Sequence, residues 1–121
     1  MNCQTYTGSL IIPDNIHTIG NYAFYRCSGF QSIKISESVI SIGNAAFYQG
    51  IGLKGNLLIP NSVISIGNES FYGCSGFVGG LTIPDSVKTI GNSAFLSFTN
   101  FNGLLRLGQN LNQIGSNAFQ G

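Results

Sequence analysis

Charge is what this chain has least of. Only 7% of its 121 residues are Asp, Glu, Lys or Arg, and the formal net charge is +1. A nucleic-acid-binding surface needs a basic excess, and this composition has none. Long apolar runs are also missing: no stretch approaches the ~20 residues of a transmembrane helix, so no membrane insertion is read. The opening Met1-Asn2-Cys3-Gln4-Thr5 has neither a basic n-region nor an apolar h-region, so the chain as written carries no secretory signal. The three cysteines form no C-x-x-C pair and His17 is the single histidine, which leaves zinc without a ligand set. Gly73-Cys74-Ser75-Gly76 and Val78-Gly79-Gly80 lack a following Lys-Ser and any dinucleotide fingerprint, so no phosphate loop and no cofactor is expected. Solubility rests on abundant Asn, Ser, Thr and Gly.

What is present is one phrase written five times. Ile-Gly recurs at Ile19-Gly20, Ile42-Gly43, Ile66-Gly67, Ile90-Gly91 and Ile114-Gly115, with spacings of 23, 24, 24 and 24. Four residues after each Gly stands a Phe: Phe24, Phe47, Phe71, Phe95 and Phe119. A fixed period of this length marks a solenoid, in which each coil buries its apolar side only against its neighbours.

The third copy shows the expected local structure. Leu57-Leu58-Ile59 reads as a strand, matched by Leu10–Ile12, Ile33–Ile35, Leu81–Ile83 and Leu105–Leu107. The outer two residues are aliphatic in every copy and the middle one varies. Strand alternation therefore sends the outer pair inward and leaves Ile11, Lys34, Leu58, Thr82 and Arg106 as an exposed stripe. Pro60-Asn61-Ser62 reads as a corner and Val63–Ile66 as a second extended segment. Gly67-Asn68 follows, Gly permitting positive φ and Asn capping a helical turn. Phe71, Cys74 and Phe77, spaced by three, suit one helical or 3₁₀ turn. Ile16, Ile19, Ala23, Phe24 and Phe30, with their equivalents, form the expected core.

LxIPxSVxxIGNxAFxxCxxF closely resembles the BspA-like leucine-rich repeat, over the whole chain apart from Met1 and Asn2. Phe30-Gln31-Ser32-Ile33-Lys34-Ile35 also fits LxxLxL, while the other junctions carry one extra residue. The resemblance implies a right-handed solenoid with a parallel sheet on its concave face, short second strands and brief helical turns opposite. It also implies a family found on surfaces of host-associated microbes and linked to adhesion. Gly50 and Phe98 stand where the pattern has Cys, and Ser36 and Gly108 where it has Pro.

Residues 1–121 are thus expected to form one solenoid of about five repeats. Cys3 lies 24 residues before Cys27, so the chain opens in mid-repeat, and no polar cap is readable at either end. A fragment of a longer array is the reading taken; ends covered by neighbouring chains, or stacked end to end, is the other.

The candidate sites divide into chemistry and surface. At ~4.8 Å per coil, Cys27 and Cys74 are ~10 Å apart, beyond the ~7 Å a disulfide spans. Cys3 and Cys27 are one coil apart and could bridge. Because Gly50 and Phe98 fill the same slot, a ladder of buried free thiols is the expectation taken. His17 shares its position with Ile40, Ile64, Lys88 and Asn112, which marks solvated surface. Asp14, Glu37 and Asp85 share a corner position, Glu69 is separate, and no nucleophile, acid or base pairing emerges. No catalytic residue is assigned.

Two surfaces remain. The stripe Ile11, Lys34, Leu58, Thr82 and Arg106 is the first choice for a macromolecular partner. Tyr25, Tyr48 and Tyr72, each following a repeated Phe, are the second, although mutual packing explains them as well. The expected function is a non-catalytic interaction module. Its leading form is a segment of a surface or secreted adhesion protein; the alternative is an intracellular, cytoplasmic scaffold whose ends neighbouring chains cover.

Overall fold

The computed structural model describes Cys3 and residues 6–121. Among the described residues nine short strands follow in order: β1 Gly8–Ile11, β2 Thr18–Ile19, β3 Phe30–Lys34, β4 Ser41–Ile42, β5 Ser65–Ile66, β6 Gly79–Thr82, β7 Thr89–Ile90, β8 Phe101–Arg106 and β9 Gln113–Ile114. All pairings are parallel. The Ile-Gly strands build a continuous five-stranded sheet, β2-β4-β5-β7-β9, in which Thr18, Ser41, Ser65, Thr89 and Gln113 align in one row. Each of these strands marks one coil, numbered first to fifth here. The second extended segment is therefore real, at two residues per coil.

Repetition makes the core a set of stacked ladders. Phe24, Phe47, Phe71, Phe95 and Phe119 stack ring on ring at centroid distances of 5.1–5.4 Å. Val39, Val63 and Val87 are fully buried beside them, as are Ile42, Ile66 and Ile90. Coils two to four enclose these residues from both sides. At the fifth coil Leu105, Leu107 and Ile114 are exposed.

Where a helical or 3₁₀ turn is expected after Gly-Asn, the described residues contain no helix. The chain makes consecutive tight turns instead, with Tyr25 N–H donating to the Tyr22 carbonyl at 3.2 Å and Cys27 N–H to Phe24 at 3.2 Å. Alternate amides point along the stack: Phe24 N–H donates to Ala46 (2.7 Å), Phe47 to Ser70 (2.7 Å) and Phe71 to Ala94 (2.8 Å). A helix would spend those donors within one coil. In each of the first four coils two residues take left-handed φ to achieve this, as with Tyr22 (59°) and Arg26 (55°), or Ala45 (52°) and Gln49 (54°).

The repeated Gly and Asn also do work other than the pattern suggests. Gly43, Gly67, Gly91 and Gly115 have no positive φ; what they need is space. A Cβ on Gly67 would lie 2.5 Å from Asn44 Oδ1 and 2.7 Å from the Asn44 amide nitrogen. Asn68, rather than capping a turn, accepts from the Asn92 N–H at 2.8 Å, in a side-chain ladder from Asn21 through Asn44 and Asn68 to Asn92. Gly20 has nothing within 4 Å of its would-be Cβ. Gly67→Ala should therefore cost about 1–3 kcal/mol through overpacking against backbone. Gly20→Ala should stay within about 0.5 kcal/mol of the parent. Urea unfolding of the two variants checks this; equal losses would show that backbone conformation, not coil spacing, selects Gly.

Two further expectations need correction. Cys3 and Cys27 form a disulfide, with Cα atoms 5.1 Å apart, so they are not rungs of a free-thiol ladder. The shared slot of adjacent coils brings two consecutive cysteines into bridging range, and only this pair is consecutive. Cys74 is free and buried, as expected. Leu57-Leu58-Ile59 is not a strand. The face carrying the variable stripe holds two separate two-stranded sheets, β1-β3 and β6-β8, with the third coil unpaired between them apart from the Gly55–Phe77 bridge.

Candidate functional site

The stripe is placed by strand alternation, and its side chains do face outward. Ile11 and Leu58 are 64% and 78% exposed, and Lys34, Thr82 and Arg106 are exposed too. Their flanking residues anchor them: Ile12, Ile35, Leu57, Ile59, Leu81 and Ile83 are buried. Ile11 and Lys34 are register partners in β1-β3, and Thr82 and Arg106 in β6-β8, so these pairs stand on rigid backbone. The stripe nevertheless falls into two halves with Leu58 alone between them. That split was not visible in the repeat pattern. The second coil is one residue shorter than the third, between Phe30 and Ile33 against Leu53 and Leu57. The first and second coils absorb the same difference with a register shift between Gly8 and Ser9.

The tyrosines form a closed stack. Tyr25, Tyr48 and Tyr72 lie with centroids 4.9 and 4.7 Å apart and near-parallel planes, half-buried, so most ring faces are covered by one another. The Arg26 guanidinium sits 5.3 Å from the Tyr25 ring centroid, capping one end of the stack. Loss of hydration raises the Tyr48 phenol above its ordinary pKa, with smaller contributions from the neighbouring Tyr72 and Tyr25.

The remaining titratable groups are scattered. His17 is exposed, with Nδ1 3.3 Å from the Ser38 carbonyl. Asp85 supports the corner of the next coil, accepting from Gln109 N–H at 2.9 Å. Among the described residues no group of three or more His, Cys, Asp or Glu could hold a metal ion. Burial pushes the Cys74 thiol up to about 12, and its Sγ lies 3.0 Å from the Phe47 carbonyl, so it is no nucleophile at neutral pH. A shallow trench of about 550 Å³ crosses the Ile-Gly sheet, floored by the glycines and walled by Ser, Thr and Asn. A larger groove of about 800 Å³ opens between the second and third coils on the stripe face.

The parallel coils, the ladders and the two-residue sheet agree with the repeat pattern at every copy. A family description, BspA type leucine-rich repeat region, matches residues 1–121 in six copies. The chain belongs to this family. Among solved structures, a leucine-rich repeat protein of T. pallidum shares 26% identity at a TM-score of 0.83, over 93% of this chain and 53% of that one. A leucine-rich repeat protein from Bacteroides ovatus shares 27% identity at a TM-score of 0.69, over 94% of this chain and 34% of that one. A leucine-rich cell surface protein from Faecalibacterium prausnitzii, 20% identical with a TM-score of 0.63, shares the fold over 92% of this chain and 44% of that one. Comparison with curated proteins gives no match. This BspA-type chain thus spans between about a third and about half of the solved relatives. Leucine-rich repeats generally mediate protein interactions and are typically non-catalytic.

Proposed function

We propose that this BspA-type segment is a non-catalytic binding module that takes a protein partner on the stripe face, within a surface or secreted adhesion protein. The observation that carries the reading is the stripe itself. Two large aliphatic side chains stand exposed on this face, Ile11 on a paired strand beside Lys34 and Leu58 on the unpaired third coil, with Arg106 further along the stripe. Arg is enriched at interfaces and Lys belongs to their rims, so the exposed aliphatic side chains and Arg106, with Lys34 at the edge, are what a partner would cover. Repeat stacking displays them along an extended surface suited to a macromolecule. The Cys3–Cys27 disulfide supports an oxidising compartment over the cytoplasmic scaffold reading, which unpaired thiols would have favoured.

The test is binding of the chain and two double variants to a panel of immobilised purified proteins and polysaccharides. Lys34→Glu with Arg106→Glu should weaken the response to a protein ligand by at least about tenfold, since charge reversal across an interface opposes association. Tyr48→Ser with Tyr72→Ser should leave it within about threefold, because the tyrosine faces are already covered. Undiminished binding by the charge-reversed chain would refute the stripe.

A further inference from the structure

The stripe face is a parallel sheet with one pairing on each side of the third coil left unmade. Parallel strands direct the amide and carbonyl of alternate residues to opposite neighbours. Ile12 N–H donates to the Lys34 carbonyl at 2.9 Å, so the backbone of Lys34 faces the first coil. The backbones of Ile33 and Ile35 then face the third coil, where the Leu58 backbone would be their partner. That pairing is missing: Lys54 N–H reaches the Gln31 carbonyl at 2.9 Å, but residues 56–59 take part in no backbone hydrogen bond. The third coil is held there by the buried side chains of Leu57 and Ile59 alone.

The space between is the groove of about 800 Å³, within the range of ligand-binding clefts. Ile33, Ile35, Leu58, Ile59 and Pro60 line it on one part and polar or charged residues, among them Lys34 and Glu37, on the rest. It combines this mixed lining with donors and acceptors at strand spacing on the β3 side. Backbone groups of this kind are costly to leave unpaired away from water, and an open strand edge is a template for another chain.

We propose that this split is a docking site for an extended peptide segment of a partner protein, which adds its backbone to the open edge of β3 and seats aliphatic side chains against Leu58 and Pro60. This inference rests on the protein-binding reading above and names the partner's conformation. A peptide backbone is the ligand the edge selects, because it supplies alternating N–H and C=O groups at the period of β3. A glycan would meet the polar residues of the groove but leave the backbone period of β3 unmatched.

The experiment selects random octapeptides, N-acetylated and C-amidated, against the disulfide-intact chain and maps the best binders by amide NMR. The amides of Ile35 and Leu58 should shift on binding and that of Arg106 should not. N-methylation at one alternating set of peptide positions should weaken binding by at least about tenfold, and at the other set by much less. Leu58→Asp, at an exposed position that leaves the core untouched, should also cost at least about tenfold, and Arg106→Glu less than about threefold. Binders that map to Thr82 and Arg106 and ignore N-methylation would leave the stripe reading standing and overturn the groove. Absence of any binder tighter than about 1 mM would overturn it as well. Self-association that shifts the same two amides would assign the groove to a second copy and refute a peptide partner.

Discussion

Phe71→Ala should lower the unfolding free energy by about 3–5 kcal/mol, the largest single-residue loss in the chain. Phe71 is fully buried and stacked on both faces, with Phe47 at 5.1 Å and Phe95 at 5.4 Å. Truncation removes its transfer energy and leaves a void that cannot close, because the rings on either side are fixed by their own coils. Urea unfolding of Phe71→Ala and Phe119→Ala provides the control. Phe119 is stacked on one side only and is part-exposed, so its loss should be clearly smaller. A cost below about 1 kcal/mol at Phe71 would mean that the ring ladder does not hold the coils together.

Removing the Cys3–Cys27 bridge should cost about 3 kcal/mol. The link closes a loop with a sequence separation of 24, and cross-links of that size restrict the unfolded chain by about this amount. Cys3→Ser with Cys27→Ser should lower the urea midpoint, and Cys74→Ser should serve as the background that prevents exchange. Thiol titration gives an independent reading: unfolded without reductant, the chain should expose one thiol, that of Cys74. Three thiols would show that the bridge does not form. The result also bears on compartment, since a bridge of this kind persists where the surroundings are oxidising.

The architecture was legible because a period repeated five times averages out local ambiguity. The aliphatic outer pair, the exposed middle residue and the buried Phe follow from strand alternation and spacing, and in the third and fourth coils each lies where that reasoning places it. What the sequence does not display are relations between coils. Nothing in Leu57-Leu58-Ile59 distinguishes it from Leu81-Thr82-Ile83, yet only the latter includes paired strand residues. Pairing depends on whether a neighbour arrives in register, a relation between coils that no single repeat displays. The glycine of Ile-Gly reads as a φ requirement when one repeat is considered alone. Stacked, it is a clearance requirement set by the Asn of the preceding coil. The left-handed residues Tyr22, Glu69 and Ser93 carry no side-chain signal at all, since the ladder of amides to the next coil imposes their conformation.

The disulfide illustrates the same limit. Slot occupancy by Cys, Gly and Phe describes an apolar position correctly, and Cys74 obeys it. Only the adjacency of Cys3 and Cys27 in neighbouring coils converts two buried thiols into a bond. For the proposed binding surface, period and alternation locate the stripe, while its division into two halves lies at the third coil.

Residue-resolved amide hydrogen exchange tests the central claim, that one face of the solenoid is a continuous ladder and the other is split at the third coil. Gly43, Gly67 and Gly91 donate to Ile19, Ile42 and Ile66 at 2.8–2.9 Å and should exchange only through global unfolding. Leu57, Leu58 and Ile59 have no backbone acceptor and should exchange rapidly within the same folded chain. Equal protection of Leu58 and Gly67 would contradict the split, and rapid exchange at Gly67 would contradict the ladder on which every coil depends.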